Sequence, residues 1–264
     1  MQSVLKRIES IPGEFNLHQN LTSGPISKVF LCTLNNTKAV IRFDLPCASK
    51  LATDRSNEFN LLQSIRHLEL APKVLYADQP AGILIWEYIS GVEPIFDSTH
   101  STQYSLQSLG RNLYFIHSSS IPQNSIDIFS NSMSLYQTLL DNSSEKLLFN
   151  KASNLYNELL NDGVSKVFSH NDLHRSNLLW NKKYYFLDWE YSSLNHPCFD
   201  IASLIRSFQL NQNQIHDLSI GYAFNSKIFD TNTLNQWIKF IEYLDKIWEI
   251  SVTKILENFS PDTS

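Results

Sequence analysis

Three polar residues near the middle of the chain have the types and spacing that phosphate chemistry requires. Asp172 and Asn177 are separated by four residues, and an apolar run after them ends at Asp188. A carboxylate on a tight loop can orient a hydroxyl group and accept its proton. An amide oxygen and a second carboxylate are ligands that Mg²⁺ prefers. The set therefore suits transfer of a phosphoryl group from ATP to a hydroxyl acceptor.

The spacing from Asp172 to Asn177 is the D-x-x-x-x-N of the kinase catalytic loop, a pattern that occurs by chance in many chains when it stands alone. Two further features make it specific. His170 precedes Asp172 by two residues, and Asp188 ends a predicted strand eleven residues after Asn177. The competing interpretation is a capped turn followed by a β-hairpin. The combination favours a catalytic loop followed by a metal ligand.

Segments around these residues resemble known families. His170–Leu179, with the sequence HNDLHRSNLL, resembles the signature of the aminoglycoside phosphotransferase and choline kinase superfamily. The segment DWEYSS from Asp188, followed by FDIA from Phe199, resembles more narrowly the choline/ethanolamine kinases and their bacterial relatives; thiamine kinases also carry DWEY. The resemblance implies that Asp172 is the catalytic base and that Asn177 and Asp188 bind Mg²⁺.

The resemblance also implies supporting roles for nearby side chains. Asp200 would fasten the catalytic loop from beneath, although it also suits the N-cap of a helix beginning at Ile201. His170 would brace the loop through hydrogen bonds. Glu190 would reach the metal or the acceptor, with an exposed, solvated carboxylate as the alternative.

Strand-like segments dominate the first part of the chain, and helical periodicity dominates the rest. A turn signal at 35–37 predicts a β-hairpin, and residues 51–67 have the spacing of one helix. Strand-like segments at 73–77 and 82–88 lead to a hinge near 87–91. The remaining pattern predicts helices at 104–118, 133–140, 146–160 and from Ile201 onward, with brief strands at 165–168, 178–180 and 184–187.

This layout predicts an α+β, protein-kinase-like bilobal fold with a small β-rich N-terminal lobe and a larger, mainly helical C-terminal lobe. We place the nucleotide-binding lobe at residues 1–88 and the catalytic and substrate-binding lobe at 89–264. The order of lobes in the superfamily agrees along most of the chain.

A kinase needs a cation near the nucleotide phosphates on its third strand, and Arg42 lies at the end of a predicted strand. An arginine can bind phosphate through two hydrogen bonds. The alternative is a surface arginine at a strand end. Its expected partner is Glu58 on the following helix, with Asp54 as a substitute.

The loop between the first two strands would cover the phosphates. It has one glycine and lacks a G-x-G-x-x-G pattern, so its position is what recommends it; the candidate residues are Ser23, Gly24 and Ser27. The hinge resembles that of the superfamily, and backbone groups of Glu87 and Ile89 are the expected contacts for adenine.

A quaternary ammonium acceptor such as choline favours an aromatic cage, through cation–π attraction of ~0.5–2 kcal/mol per ring. The candidates are Tyr191 and Trp248, together with Glu190. The other aromatic residues available for a cage are Trp189, Trp237, Phe240 and Tyr243. A set of apolar residues near the C-terminus has the spacing of one helix face, and such a face more often packs in a core than forms a cage: Trp237, Phe240, Ile241, Leu244, Ile247 and Trp248. Acidic residues of the same segment are expected to form a solvated helix face: Glu242, Asp245 and Glu249.

The 264 residues carry a formal net charge of −5, which argues against a general nucleic-acid-binding protein. Three cysteines without a CxxC pair indicate free thiols in a reducing compartment. No apolar run is long enough for a signal peptide or a membrane span. We expect a cytoplasmic protein with neither a nucleic-acid nor a membrane partner. Its oligomeric state does not follow from the sequence.

The favoured function is an ATP- and Mg²⁺-dependent kinase acting on a small hydroxyl-bearing molecule, with a choline- or ethanolamine-like amino alcohol as the first choice. Thiamine, an aminoglycoside or another sugar alcohol is the alternative within this class. A catalytically silent kinase-fold binding protein comes from another class, and the joint presence of Asp172, Asn177 and Asp188 argues against it. A protein kinase is disfavoured by Arg42, the missing glycine-rich loop and the absence of an evident Ala-Pro-Glu segment.

Overall fold

The computed structural model describes residues 6–50, 55–97, 103–120, 127–223, 225 and 227–258. The N-terminal region contains β1 (Phe15–Ser23), β2 (Ser27–Leu34), β3 (Thr37–Asp44), helix α1 (Arg55–Ser64), β4 (Val74–Asp78) and β5 (Ile83–Glu87). The strands form an antiparallel sheet in the order β1-β2-β3-β5-β4.

The predicted hairpin is present as β2 and β3, which pair along their whole length. Its turn residues Asn35 and Asn36 have φ values of 48° and 62°. Asparagine tolerates this left-handed conformation better than most residues, and such turns match the twist of the paired strands. The local sequence therefore accounts for this hairpin.

The C-terminal region is mainly helical, and short strand pairs carry its loops. The helices are α2 (Leu106–His117), α3 (Ile128–Leu139), α4 (Ser143–Leu159), α5 (Pro197–Phe208), α6 (Gln212–Gly221) and α7 (Thr231–Glu257). The strands are β6 (Val167–Ser169), β7 (Leu178–Trp180), β8 (Tyr184–Phe186) and β9 (Ser193–Asn195). Antiparallel pairing joins β6 to β9 and β7 to β8.

Several helix boundaries differ from the prediction, among them the start of α4 at Ser143 instead of residue 146. Helix α3 begins at Ile128, five residues before the first predicted residue, since the Asp127 carboxylate caps it by accepting the Ser130 N–H at 3.0 Å. Helix α1 ends at Ser64, where the chain tightens into a 3₁₀ turn. Residues 51–54, which include the predicted substitute partner at position 54, lie outside the described residues.

Helix α5 also begins earlier than predicted. His196 is its N-cap and accepts the Cys198 N–H at 3.2 Å, with Pro197 in the first turn. The N-cap interpretation of Asp200 is therefore wrong. Strand β9 was not predicted, because its residues Ser193–Asn195 include none of the β-branched or aromatic residues that favour a strand.

Each of the two regions has its own cluster of buried apolar side chains. One cluster underlies the sheet and includes Ile41 and Phe43. A larger cluster fills the helical region and extends from Leu61 of α1 to Trp237 and Phe240 of α7, which are core residues as predicted. The fold is α+β, with an antiparallel sheet followed by a mainly helical region as predicted, whereas the division at residue 88 stays a prediction. Across the described ranges, no helix is both long and apolar enough to cross a membrane.

Candidate active site

The predicted catalytic loop runs from β6 to β7 and is anchored by a carboxylate of α5. Asp200 accepts hydrogen bonds from the backbone N–H groups of His170 at 2.7 Å and Asn171 at 2.9 Å. Asn171 has a φ of 64°, so the chain turns sharply just before Asp172. Because Asp200 is fully buried, these charge-assisted bonds hold the loop firmly from beneath.

His170 connects this loop to the segment that carries Asp188. Its ring is buried, packs against Trp189 with 4.6 Å between ring centroids, and donates from Nε2 to the Leu187 carbonyl at 2.8 Å. Burial lowers the pKa of His170, so the ring is neutral near pH 7. This geometry fits the bracing role predicted for His170.

The side chains of Asp172 and Asn177 are in direct contact. Asn177 Nδ2 donates to the Asp172 carboxylate at 2.9 Å and to the Asp172 backbone carbonyl at 3.0 Å. Nε2 of His174 lies 3.6 Å from the same carboxylate, and the interaction with this carboxylate raises the pKa of His174. Since the Asn177 nitrogen faces Asp172, its Oδ1 is the atom able to bind a cation.

Arg42 is the centre of a buried ion-pair network. Its guanidinium contacts Glu58 of α1 at two points, one of which is 3.1 Å between Nη1 and Oε1. Nη1 also lies 3.3 Å from Asp188 and 3.8 Å from Glu190, and Nε lies 3.2 Å from Asp44. Burial alone would lower the pKa of Arg42, but the carboxylates of Glu58 and Glu190 outweigh it and raise that pKa well above its ordinary value.

Arg42 is only 4% exposed, so the alternative of a surface arginine at a strand end is wrong. The predicted pairing of Arg42 with Glu58 is present. The sequence did not indicate the other three carboxylates. Asp188 and Glu190 lie far from β3 in the chain, and Asp44 ends β3 two residues after Arg42, a spacing that by itself marks no ion pair. The network ties the sheet, α1 and the segment after β8 together.

Asp188 and Glu190 form the acidic part of the site. Asp188 has a φ of 61°, and its side chain is 43% exposed to the cleft. The pKa of Asp188 is nevertheless raised well above its ordinary value. Loss of hydration is the larger cause, and the negative charge of Glu190 is the second. Glu190 is 7% exposed, so its interpretation as a solvated surface carboxylate is wrong.

The residues that fit Mg²⁺ are Asn177 and Asp188. Their donor atoms are hard oxygens, and a cation would offset the like charges of Asp188 and Glu190. The Leu187 N–H donates to the Asn177 carbonyl at 2.9 Å, which holds the two ligand-bearing segments side by side. The donor set therefore suits the predicted ion.

The other nucleotide candidates lie on the β1–β2 loop and the hinge. The Gly24 N–H donates to the Ser27 carbonyl at 3.0 Å, which closes a tight turn just after Ser23. The Glu87 carboxylate accepts the backbone N–H of the residue before β4 at 2.9 Å, so its side chain is occupied in the hinge. Ile89 is half-buried just beyond it. The nucleotide contacts of these five residues stay predictions.

A cavity of about 880 Å³ opens beside Asp172, and its lining combines aromatic rings with carboxylates. The indole N–H of Trp248 donates to the Tyr191 hydroxyl at 3.2 Å. The lining includes Tyr136, Tyr191, Trp248, Glu190, Asp245 and Glu249. All three residues predicted to contact the acceptor thus share one cavity with Asp172.

Asp245 and Glu249 are exposed on α7, as predicted for a solvated helix face, and they also line the cavity beside Trp248. Asp245 also contacts Arg206 of α5 at 2.6 Å. Tyr136 of α3 was missed, because in the sequence it is one more apolar position of a helix. Its location depends on how α3 packs beside α7.

Comparison with known sequences agrees with this geometry. Residues 18–232 match the family described as "Phosphotransferase enzyme family" (APH). A LicA homolog of Mycoplasma capricolum subsp. capricolum is 26% identical over 151 residues, 56% of this chain and 59% of that protein. LicA of Haemophilus influenzae is 27% identical over 200 residues, 72% of this chain and 58% of that protein. The chain thus spans just under three fifths of the length of these two relatives.

Solved structures share the fold. The choline kinase LicA from Streptococcus pneumoniae superposes with a TM-score of 0.75 at 18% identity, covering 98% of this chain and 99% of that one. A structure of LicA in complex with AMP has a TM-score of 0.74 at 20% identity, covering 96% and 90%. Spectinomycin phosphotransferase APH(9)-Ia, in complex with ADP and spectinomycin, has a TM-score of 0.59 at 15% identity, covering 100% and 90%.

Proposed function

Because the chain belongs to the phosphotransferase enzyme family, we propose that it transfers the γ-phosphate of ATP to the hydroxyl of a small amino alcohol of the choline or ethanolamine type. The observation that carries this proposal is the cavity in which Asp172 meets aromatic rings and carboxylates. Location in the cytoplasm stays part of the proposal.

Asp172 is the base of the proposed reaction. Its carboxylate orients the acceptor hydroxyl and takes the proton as the hydroxyl oxygen attacks the γ-phosphorus. The bond from the γ-phosphorus to the bridging oxygen breaks, and ADP leaves. Asn177 holds the Asp172 carboxylate in position through its 2.9 Å hydrogen bond. Bound Mg²⁺, held by Asn177 and Asp188, would neutralise the phosphate charge.

The lining of the cavity supports a cationic acceptor. Aromatic faces attract a quaternary or primary ammonium group by ~0.5–2 kcal/mol per ring. Tyr136, Tyr191 and Trp248 supply the rings, and Asp245 and Glu249 supply negative charge around them. The choline kinase among the similar structures is consistent with this acceptor class.

Thiamine and aminoglycosides are the alternative acceptors. They are also cationic, and the cavity of about 880 Å³ lies near the upper end of the volumes typical of small-molecule sites. Its size therefore favours no single member of the class. A silent binding protein is disfavoured, because Asp172, Asn177 and Asp188 lie together in a geometry that binding alone does not require.

The test is ATP consumption, with Mg²⁺ present, against a panel of choline, ethanolamine, thiamine, aminoglycosides and sugars. We expect the highest kcat/KM with choline or ethanolamine, and formation of the phosphorylated acceptor by mass spectrometry. Higher turnover with an aminoglycoside or thiamine would replace the acceptor but keep the reaction. No turnover with any member, together with no ATP binding, would support the non-enzyme alternative.

A further inference from the structure

One wall of the cavity does not come from the helical region. Pro25, Ile26 and Ser27 of the β1–β2 loop contribute to its lining, together with Tyr136 and Trp248 from the helices. The same loop is the segment expected to cover the nucleotide phosphates. The proposed function therefore places a single short loop at the border of both ligand sites.

Ile26 is fastened to the segment that follows β3. Its backbone carbonyl accepts the Leu45 N–H at 2.8 Å, and the neighbouring Pro25 carbonyl accepts a hydrogen bond from the Cys47 thiol at 3.2 Å. The Ile26 residue is 8% exposed. The loop is therefore held in place on the side of the sheet.

On its other side, Ile26 belongs to an apolar cluster that joins the sheet to the helices. Cys47 and Ala48 contribute from the sheet side, and Val252 and Ile255 contribute from α7. Burial of these groups favours a loop that stays against α7.

Trp248 connects this cluster to the acceptor site. It packs against the cluster, lines the cavity and donates its indole N–H to Tyr191. An acceptor held by Trp248 and a nucleotide held under the loop would both contact one packed unit, and that unit includes Ile26.

We propose that Ile26 is a positioning residue that couples nucleotide binding to acceptor binding, an inference that rests on the proposed function. A nucleotide bound under the loop restricts the motion of the packed unit that contains Ile26, and the acceptor wall, which belongs to the same unit, is restricted with it. By thermodynamic linkage, each ligand then raises the affinity for the other by the same factor.

The test measures the Kd of the non-hydrolysable ATP analogue AMP-PNP, with Mg²⁺, by calorimetry. The measurement is made without and with a saturating acceptor, which is the panel member with the highest turnover. For the unmodified protein we expect the acceptor to lower this Kd by about fivefold or more, the low end of ordinary coupling factors. Ile26→Ala should bring the ratio close to one, and Ile26→Val should retain most of it.

Matched variants separate coupling from general stability. Ile11→Ala removes a similarly buried side chain, 6% exposed, from the sheet cluster and should keep the full ratio. Val252→Ala acts on the α7 side of the Ile26 contact and should lower the ratio. If Ile26→Ala does not fold, Val252→Ala decides, and a full ratio in that variant overturns the inference.

A ratio of one in the unmodified protein, or an unchanged ratio in Ile26→Ala, would overturn the inference while panel turnover still supports the kinase. Absence of turnover and of AMP-PNP binding would overturn both.

Discussion

The catalytic end and the acceptor end of the cavity are built from different kinds of structure. At the catalytic end, Asp172 lies on a loop whose backbone N–H groups donate to Asp200. The Asp172 carboxylate itself accepts a hydrogen bond from Asn177. At the acceptor end, rings such as Tyr136 and Trp248 come from helices far apart in the chain. The reaction thus depends on short polar segments, whereas the choice of acceptor depends on helix packing.

The two ends also differ in how they are stabilised. Asp200 is fully buried and, besides the two loop N–H groups, contacts the His117 ring at 3.0 Å; the other nitrogen of this ring lies 2.6 Å from the Tyr222 hydroxyl. Loss of one partner in such a buried network leaves other polar groups unsatisfied. The acceptor end relies on several rings and charges that each contribute modestly. We therefore expect steep effects at the first end and graded effects at the second.

The largest effect should follow Asp172→Asn. An amide cannot take the acceptor proton, so kcat should fall by about a thousandfold, within the range of general-base contributions. ATP affinity should stay within about twofold, because Asp172 is proposed to act on the acceptor and not on the nucleotide. Steady-state kinetics and calorimetry measure the two quantities. Asp217→Asn, an exposed carboxylate of α6, is the control. Unchanged turnover in Asp172→Asn would remove the residue from the mechanism.

Asp200→Asn should have the next largest effect. Both oxygens of the Asp200 carboxylate accept backbone N–H groups, whereas an asparagine would turn its NH₂ group toward one of these donors. The free energy of unfolding should therefore fall by about 3 kcal/mol. Urea denaturation measures this change, and kcat should fall with it because the loop loses its anchor. Asp217→Asn should change stability by less than about 0.5 kcal/mol. Comparable stability of the two variants would contradict the anchoring role.

Tyr191→Ala tests the acceptor end. Loss of the ring should raise the KM for a cationic acceptor by about tenfold, in line with one cation–π contact and its apolar contacts. The KM for ATP should change by less than about twofold, since the predicted nucleotide contacts lie elsewhere. Tyr191→Phe keeps the ring and should keep most of the affinity. An equal rise in both KM values would indicate a folding role instead.

The smallest effect should come from Asp245→Asn. Removal of this charge also leaves Arg206 without its 2.6 Å partner, so the cavity becomes less negative. The KM for a cationic acceptor should rise by about threefold, because partly exposed charges contribute at most ~1 kcal/mol. Glu242→Gln is the matched control, since Glu242 is exposed on the same helix. A rise that is equal in both variants would point to net charge and not to the cavity.

Sequence reasoning succeeded where interactions are local. The hairpin turn at Asn35 and Asn36 and the loop around Asp172 are encoded in consecutive residues, and the pairing of Arg42 with Glu58 needs one strand and the next helix. It missed Tyr136, which lines the cavity although in the sequence it is one more apolar position of a helix. A helical period shows which residues share a face but not which face a second helix leaves open.

The sequence by itself determined the α+β fold class, because strand-like segments precede helical ones along the chain. It also determined the candidate reaction, because Asp172, Asn177 and Asp188 are close enough in the chain for their spacing to be recognised. Only the tertiary structure decided the composition of the acceptor cavity and the wall that Ile26 contributes to it. The physical reason is that apolar packing is non-directional. The same Tyr or Trp serves equally as core or as binding surface until the neighbouring helices are in place.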